Sequence, residues 1–142
     1  MKTIFLKDCE QKREWFVIDA AGKPLGRVAA KAAAILRGKE KASYTPNQEM
    51  GDYVIIINAD KVAVSGNKAS DKLYRHYTGF VRGLRSYSFE KLIEKNPTEP
   101  LVRTINGMLP NNRLGRKVAA NLKVYAGSEH PHATQNPKVV EL

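Results

Sequence analysis

The chain has 142 residues, with 24 Lys and Arg against 14 Asp and Glu, a formal net charge of +10 at neutral pH. With 42% hydrophobic and 27% charged residues it reads as a folded protein and not a disordered tail, and its length fits one domain, 1–142, rather than two. The longest apolar run, around Val54–Ile57, is far short of the ~20 residues of a membrane-spanning helix, and a lone cysteine, Cys9, excludes an internal disulfide.

Residues 1–13 read as an N-terminal extension. They carry no apolar signal core, which argues against secretory or organellar targeting and suits a reducing cytoplasm. Cys9 stands between Asp8 and Glu10, whose charges disfavour a thiolate, so it is read as inert. Trp15–Ala20 is a short apolar run, the pattern of a strand buried on both faces. Pro24 suits the first turn of a helix in which Leu25, Val28, Ala29, Ala32, Ala33 and Leu36 recur at three- and four-residue spacing. Gly38 stops that helix as a left-handed cap, and its opposite face carries Arg27, Lys31 and Arg37. Asp52–Asn58 is a second buried strand. Strand, helix and strand with a long connection is the βαβ pattern, so an α/β fold with a parallel or mixed sheet is expected.

Val62–Ser65 forms a short extension before a turn at Ser65–Lys68. Leu73, Arg75 and Tyr77 alternate with Lys72, Tyr74 and His76, which predicts a third strand with one polar edge. A basic loop punctuated by Gly79 and Gly83 follows. Ser88 then caps a helix through Phe89, Leu92 and Ile93, and Thr98 starts another with Leu101, Val102 and Ile105 on one face. Past Pro110–Asn112, Leu114, Val118 and Leu122 mark a further helical face. Lys123–Ala126 is a short closing segment, and 128–142 is expected to be an irregular tail.

The positive charge is segregated. Gly22–Lys41 and Lys61–Arg85 each hold six cations against one acid, and Arg103–Lys123 holds five against none, so the remaining residues are net acidic. These stretches lie beside glycines and prolines, where loops reach outward, as a surface that meets a polyanion requires. Nucleic acid, an anionic membrane surface and an acidic protein all suit such charge, and the lack of a long apolar run weakens the membrane reading. Tyr44, Tyr74, Tyr77, Phe80 and Tyr87 lie among the cations, where stacking on unpaired bases is open to those that do not pack inward. Trp15, Phe16, Tyr53 and Phe89 sit in apolar runs and belong to the core.

No catalytic set stands out. The turn Gly22–Arg27 lies where dinucleotide folds hold a pyrophosphate, but it reads G-x-x-x-G rather than G-x-G-x-x-G, and Pro24 removes a gripping amide. It is no phosphate loop either, since Val17 and Pro24 occupy required positions. The favoured reading is a tight turn with Lys23 and Arg27 facing outward; a small enzyme holding a phosphorylated ligand there is the alternative. His130 and His132 beside Glu129 lack the further ligands that a metal shell needs. His76, between Arg75 and Tyr77, reads as a hydrogen-bonding or stacking residue rather than a general base. Neither a cofactor nor enzymatic activity is expected.

Several strings occur in order: Gly38-Lys-Glu-Lys-Ala-Ser-Tyr-Thr-Pro46, Gly51-Asp-Tyr-Val with Asn58-Ala-Asp-Lys-Val62, Ser65-Gly-Asn-Lys68, and Tyr77-Thr-Gly79. Gly107-Met-Leu-Pro-Asn-Asn-Arg-Leu-Gly-Arg116 and Leu122-Lys-Val-Tyr-Ala-Gly127 complete the set. From Trp15 to its end the chain resembles the thirteenth protein of the bacterial large ribosomal subunit, the L-thirteen family. It departs mildly at Phe80, where that family often has Tyr or His, and at Arg82, where glycine is common. The resemblance implies a three-layer α/β/α domain with a small, mainly parallel central sheet. It also implies binding to large-subunit ribosomal RNA early in assembly, beside neighbouring ribosomal proteins, with no membrane, small-molecule substrate or catalytic role.

With RNA as partner, Lys39, Lys41, Lys61, Lys68, Lys72, Arg75 and Arg82 are expected to neutralise phosphates from one side. Arg113, Arg116, Lys117 and Lys123 do so from the helix after the Gly-Met-Leu-Pro turn. Lys23, Arg27, Tyr44 and His76 complete the candidate surface. A free-standing regulator that binds messenger RNA would carry the same charges.

Overall fold

The structure is a computed structural model that describes residues 10–142; Cys9 lies outside the described residues. Two aliphatic runs, Trp15–Asp19 (β1) and Tyr53–Ile57 (β2), pair in parallel, with Phe16 opposite Val54 and Ile18 opposite Ile56. Near-continuous apolar strands of this kind bury both faces, and Ile18, Val54, Ile55 and Ile56 are fully buried. Between them runs the helix Leu25–Arg37 (α1), with Pro24 as its N-cap rather than in its first turn. Gly38, at φ 77°, ends it in the left-handed region and donates its amide to Ile35.

The chain then leaves the sheet for a 3₁₀ turn, Ala59–Lys61, a one-turn helix, Lys68–Asp71 (α2), and an antiparallel ribbon of Leu73–Tyr77 (β3) and Leu84–Ser88 (β4). Three helices follow: Phe89–Lys95 (α3), Glu99–Met108 (α4) and Arg113–Ala120 (α5). Leu122–Val124 (β5) re-enters beside β2, and Lys138–Val140 (β6) flanks β1. Among the described residues the central sheet has the order β5-β2-β1-β6, parallel throughout. The α/β class and the mainly parallel sheet read from the sequence are both present.

Ile18, Val54 and Ile56 meet α1, Leu101 and Ile105 of α4 and Val118 of α5 in one core cluster. Alternate residues, Trp15, Val17, Tyr53 and Ile55, point to the other face. There the connection between β5 and β6 folds over the sheet: His132 stacks on Trp15 at 5.0 Å, Trp15 stacks on Tyr53 at 4.4 Å, and Tyr125 Oη lies 2.8 Å from His132 Nε2. His132 of the Glu129–His132 motif is thus a packing residue of the tail.

Five further expectations change. Leu122 does not extend the last helix; α5 stops at Ala120, the buried Asn121 donates to Glu49 at 2.6 Å, and Leu122 pairs with Val54. The tail is not irregular throughout, because Val139 and Val140 add a strand to β1. The basic loop punctuated by Gly79 and Gly83 is not loop throughout: from Leu84 it becomes the strand β4. In β3 the buried residue is Tyr74, while Leu73 and Tyr77 face solvent. Val62–Ser65 makes only an isolated bridge, Ala63 to Pro24.

Candidate nucleic-acid interface

On α1, helical spacing sets Arg27, Ala30, Ala34 and Arg37 along one stripe. Ala30, Ala33, Ala34 and Arg37 wall a cleft of about 530 Å³, closed by Lys39, Tyr44 and the segment Met108–Pro110. Arg37 Nε donates to the Tyr44 hydroxyl at 3.3 Å, and its guanidinium carbon lies 6.0 Å from the ring centre, which fixes both groups together.

The turn from α4 into α5 shapes a second cleft, of about 350 Å³, which includes Arg116. Asn112 caps α5 by accepting the Gly115 amide at 2.7 Å. A Cβ on Gly115 would overlap the Pro110 carbonyl oxygen, so the tight turn admits only glycine there. Because α5 buries Gly115 and Val118, the positions 113, 116 and 117 fall outward, and Arg113, Arg116 and Lys117 are all exposed. A third cleft, of about 270 Å³, holds Lys68 and Lys72 between Pro24–Gly26 and Thr104. Met108 lines both this cleft and the first one, so the two adjoin at that side chain.

Lys23 and Lys61 meet at the carboxyl end of the sheet. Gly22 donates its amide to the Lys61 carbonyl at 2.9 Å, and the Ala63 amide reaches the Lys23 carbonyl at 3.0 Å. Asp19 lies close by; the Ala21 amide holds its carboxyl below the ordinary range, helped by Asn58 and by the charges of Lys23 and Lys61. The amides of Gly22, Lys23 and Leu25 are already given to Lys61, Ala20 and Ala63. This turn therefore cannot offer those donors to a phosphate, which counts against the enzyme alternative.

The ribbon carries three more candidates. Arg75 is on its outer face and Arg82 at its tip, whereas His76 and Arg85 oppose each other on the inner face, in a cleft of about 510 Å³ with Lys95 and Arg103. Tyr74 packs inward, and burial pushes its phenol above the usual range.

Two candidates lie elsewhere. Lys41 binds the buried Asp52 at 2.6 Å and the Lys12 carbonyl at 3.0 Å, so it ties the loop after α1 to the sheet. Lys123 lies in β5 opposite Ile55, on the sheet face away from α5, apart from Arg113, Arg116 and Lys117. Among the described residues, Lys41 is the one candidate cation in an ion pair; the other pairs use Arg13, Lys31, Arg103 and Lys138. The candidate set also omits Arg37, Arg85, Lys95 and Arg103, which line these clefts. The stripe at 27, 30, 34 and 37 was visible in the sequence; the pairing of His76 with Arg85 needed the unrecognised strand β4.

Residues 13–131 match the family described as ribosomal protein L13. A Treponema denticola protein named large ribosomal subunit protein uL13 is 63% identical over 142 residues, all of both chains. Proteins of the same name from Treponema pallidum and Hydrogenovibrio crunogenus are 58% identical over 137 residues, 96% of each chain, and 54% identical over 142 residues, all of both. A parallel α/β scaffold whose clefts carry cations without a carboxylate partner among the described residues, matched at this level, is of the ribosomal class, structural and not enzymatic. The chain belongs to the ribosomal protein L13 family.

Proposed function

We propose that this chain is a structural part of the large ribosomal subunit, where it binds large-subunit ribosomal RNA and helps that RNA fold early in assembly. The setting is the cytoplasmic ribosome, with other large-subunit proteins as neighbours. One observation carries the reading: the cations on the joined clefts and on α5 have no carboxylate partner among the described residues, so their charge is available to an outside polyanion. Lys68 and Lys72 supply charge on one side of Met108, Arg37 and Lys39 on the other, and Arg113, Arg116 and Lys117 from α5. Lysine acts here as a point charge, and arginine can bridge two phosphate oxygens.

Replacing Arg113, Arg116 and Lys117 together with alanine tests this. Filter binding to transcribed large-subunit RNA should weaken roughly tenfold or more, while the thermal melt stays near that of the parent protein. Unchanged affinity in the triple variant would remove α5 from the interface.

A further inference from the structure

The β3–β4 ribbon holds an apolar surface that the clefts do not use. Leu73, Tyr77 and Leu84 on its outer face are 51%, 60% and 62% exposed, and Phe80 and Val81 at its tip are 77% and 93% exposed. Apolar side chains gathered in this way mark an interaction surface.

The tip is a built structure. The Thr78 amide and hydroxyl both donate to the Gly83 carbonyl, at 3.0 and 3.2 Å, and the Gly83 amide donates to the Phe80 carbonyl at 2.9 Å. A Cβ on Gly83 would collide with Thr78 Oγ1 and the Phe80 carbonyl oxygen. Arg82 sits at φ 60°, a conformation that costs a long side chain energy and persists only where surrounding contacts impose it. The result is a fixed turn that leaves Phe80 and Val81 exposed next to Arg82 in the chain.

Charge identifies the occupant. Residues 72–88 contain Lys72, Arg75, Arg82 and Arg85 and no acid. Arg75 lies on the outer face, Arg85 on the inner face and Arg82 at the tip. A docked protein would cover one face, whereas the walls of a nucleic-acid groove flank both. A regular RNA helix has a deep groove too narrow for side chains and a shallow one that shows only 2′-hydroxyls and base edges, so an apolar tip meets base faces only where unpaired nucleotides interrupt the helix.

Resting on the RNA-binding reading above, we infer that the ribbon tip is a wedge: Phe80 and Val81 insert against the bases of an RNA helix interrupted by unpaired nucleotides, while Arg75, Arg82 and Arg85 hold the flanking phosphates. Apolar wedges that part stacked bases beside cations are a known means of gripping distorted nucleic acid.

Transcribed large-subunit RNA serves as the probe, with Phe80→Ala, Val81→Ala, Phe80→Tyr and Arg82→Ala variants checked for an unaltered melt. Phe80→Ala should weaken binding about tenfold and leave the salt slope unchanged, since stacking and not charge is lost. Phe80→Tyr should bind within about twofold of the parent, because the ring is kept. Arg82→Ala should reduce the salt slope by about one. Chemical probing should show a few bases whose exposure depends on Phe80. Parent protein that fails to bind this RNA overturns both the inference and the reading beneath it. Parent protein that binds, with Phe80→Ala and Val81→Ala matching it in affinity and probing pattern, overturns the wedge alone. So does a result in which these variants lose only association with a purified large-subunit protein.

Discussion

β1–β2 and β3–β4 are both pairs of five-residue strands in register, yet they treat their apolar side chains in opposite ways. In the parallel pair, Ile18, Val54, Ile55 and Ile56 are withdrawn completely from water. In the antiparallel pair only Tyr74 is buried, while Leu73, Tyr77 and Leu84 stay in solvent. A lone two-stranded ribbon is marginal in water; this one is anchored through Tyr74 and through the Phe89 amide, which donates to the Lys72 carbonyl at 3.0 Å. One pair is scaffold and the other is display, and the charges follow the same division. Near the parallel pair, Lys41 is matched with Asp52 and Asp19 accepts two hydrogen bonds. On the ribbon, Arg75, Arg82 and Arg85 have no carboxylate partner among the described residues.

That contrast can be broken by substitution. Ile56→Ala should cost about 3–4 kcal/mol in urea unfolding, since it opens a cavity where α1, α4 and β2 meet. A loss under about 1 kcal/mol would mean that the parallel pair is not the scaffold. Asp52→Ala should cost about 3 kcal/mol, because the Lys41 ammonium and the Glu14 amide both lose their acceptor. If stability barely moves, Lys41 is not structural and returns to the candidate interface.

Asp19 gives a smaller, pH-dependent effect. Its folded-state pKa is lowered, first by the Ala21 amide and then by Asn58, so its contribution is present above the unfolded value of about 3.9 and is lost as pH falls through the folded value. The melting-temperature gap between the parent protein and Asp19→Asn should be open near neutral pH and narrow in strong acid; a constant gap would remove Asp19 from the account. Smallest of all, Leu84→Ser on the ribbon should stay within about 0.5 kcal/mol of the parent, as expected of a residue that is 62% exposed.

The same division explains what was legible in the sequence. β1, α1 and β2 were readable because their apolar periodicity coincides with their burial, and Pro24 and Gly38 mark the ends of α1. β4 was missed because Leu84, Arg85, Ser86 and Tyr87 carry no single buried face; only pairing with β3 makes them a strand. β5 and β6 are three residues each, fixed by hydrogen bonds to β2 and β1 rather than by a pattern of their own. Charge density marked the basic stretches, but it could not tell that Asp52, eleven residues away, neutralises Lys41. Nor could it show that strand alternation turns Lys123 away from α5.

The central claim is that cations without internal partners are there to hold RNA phosphates. Affinity for transcribed large-subunit RNA, measured across a series of salt concentrations, tests it most directly. With roughly six to eight phosphates neutralised, log affinity should fall against log salt with a slope of about −4 to −7. A slope near zero would contradict the account.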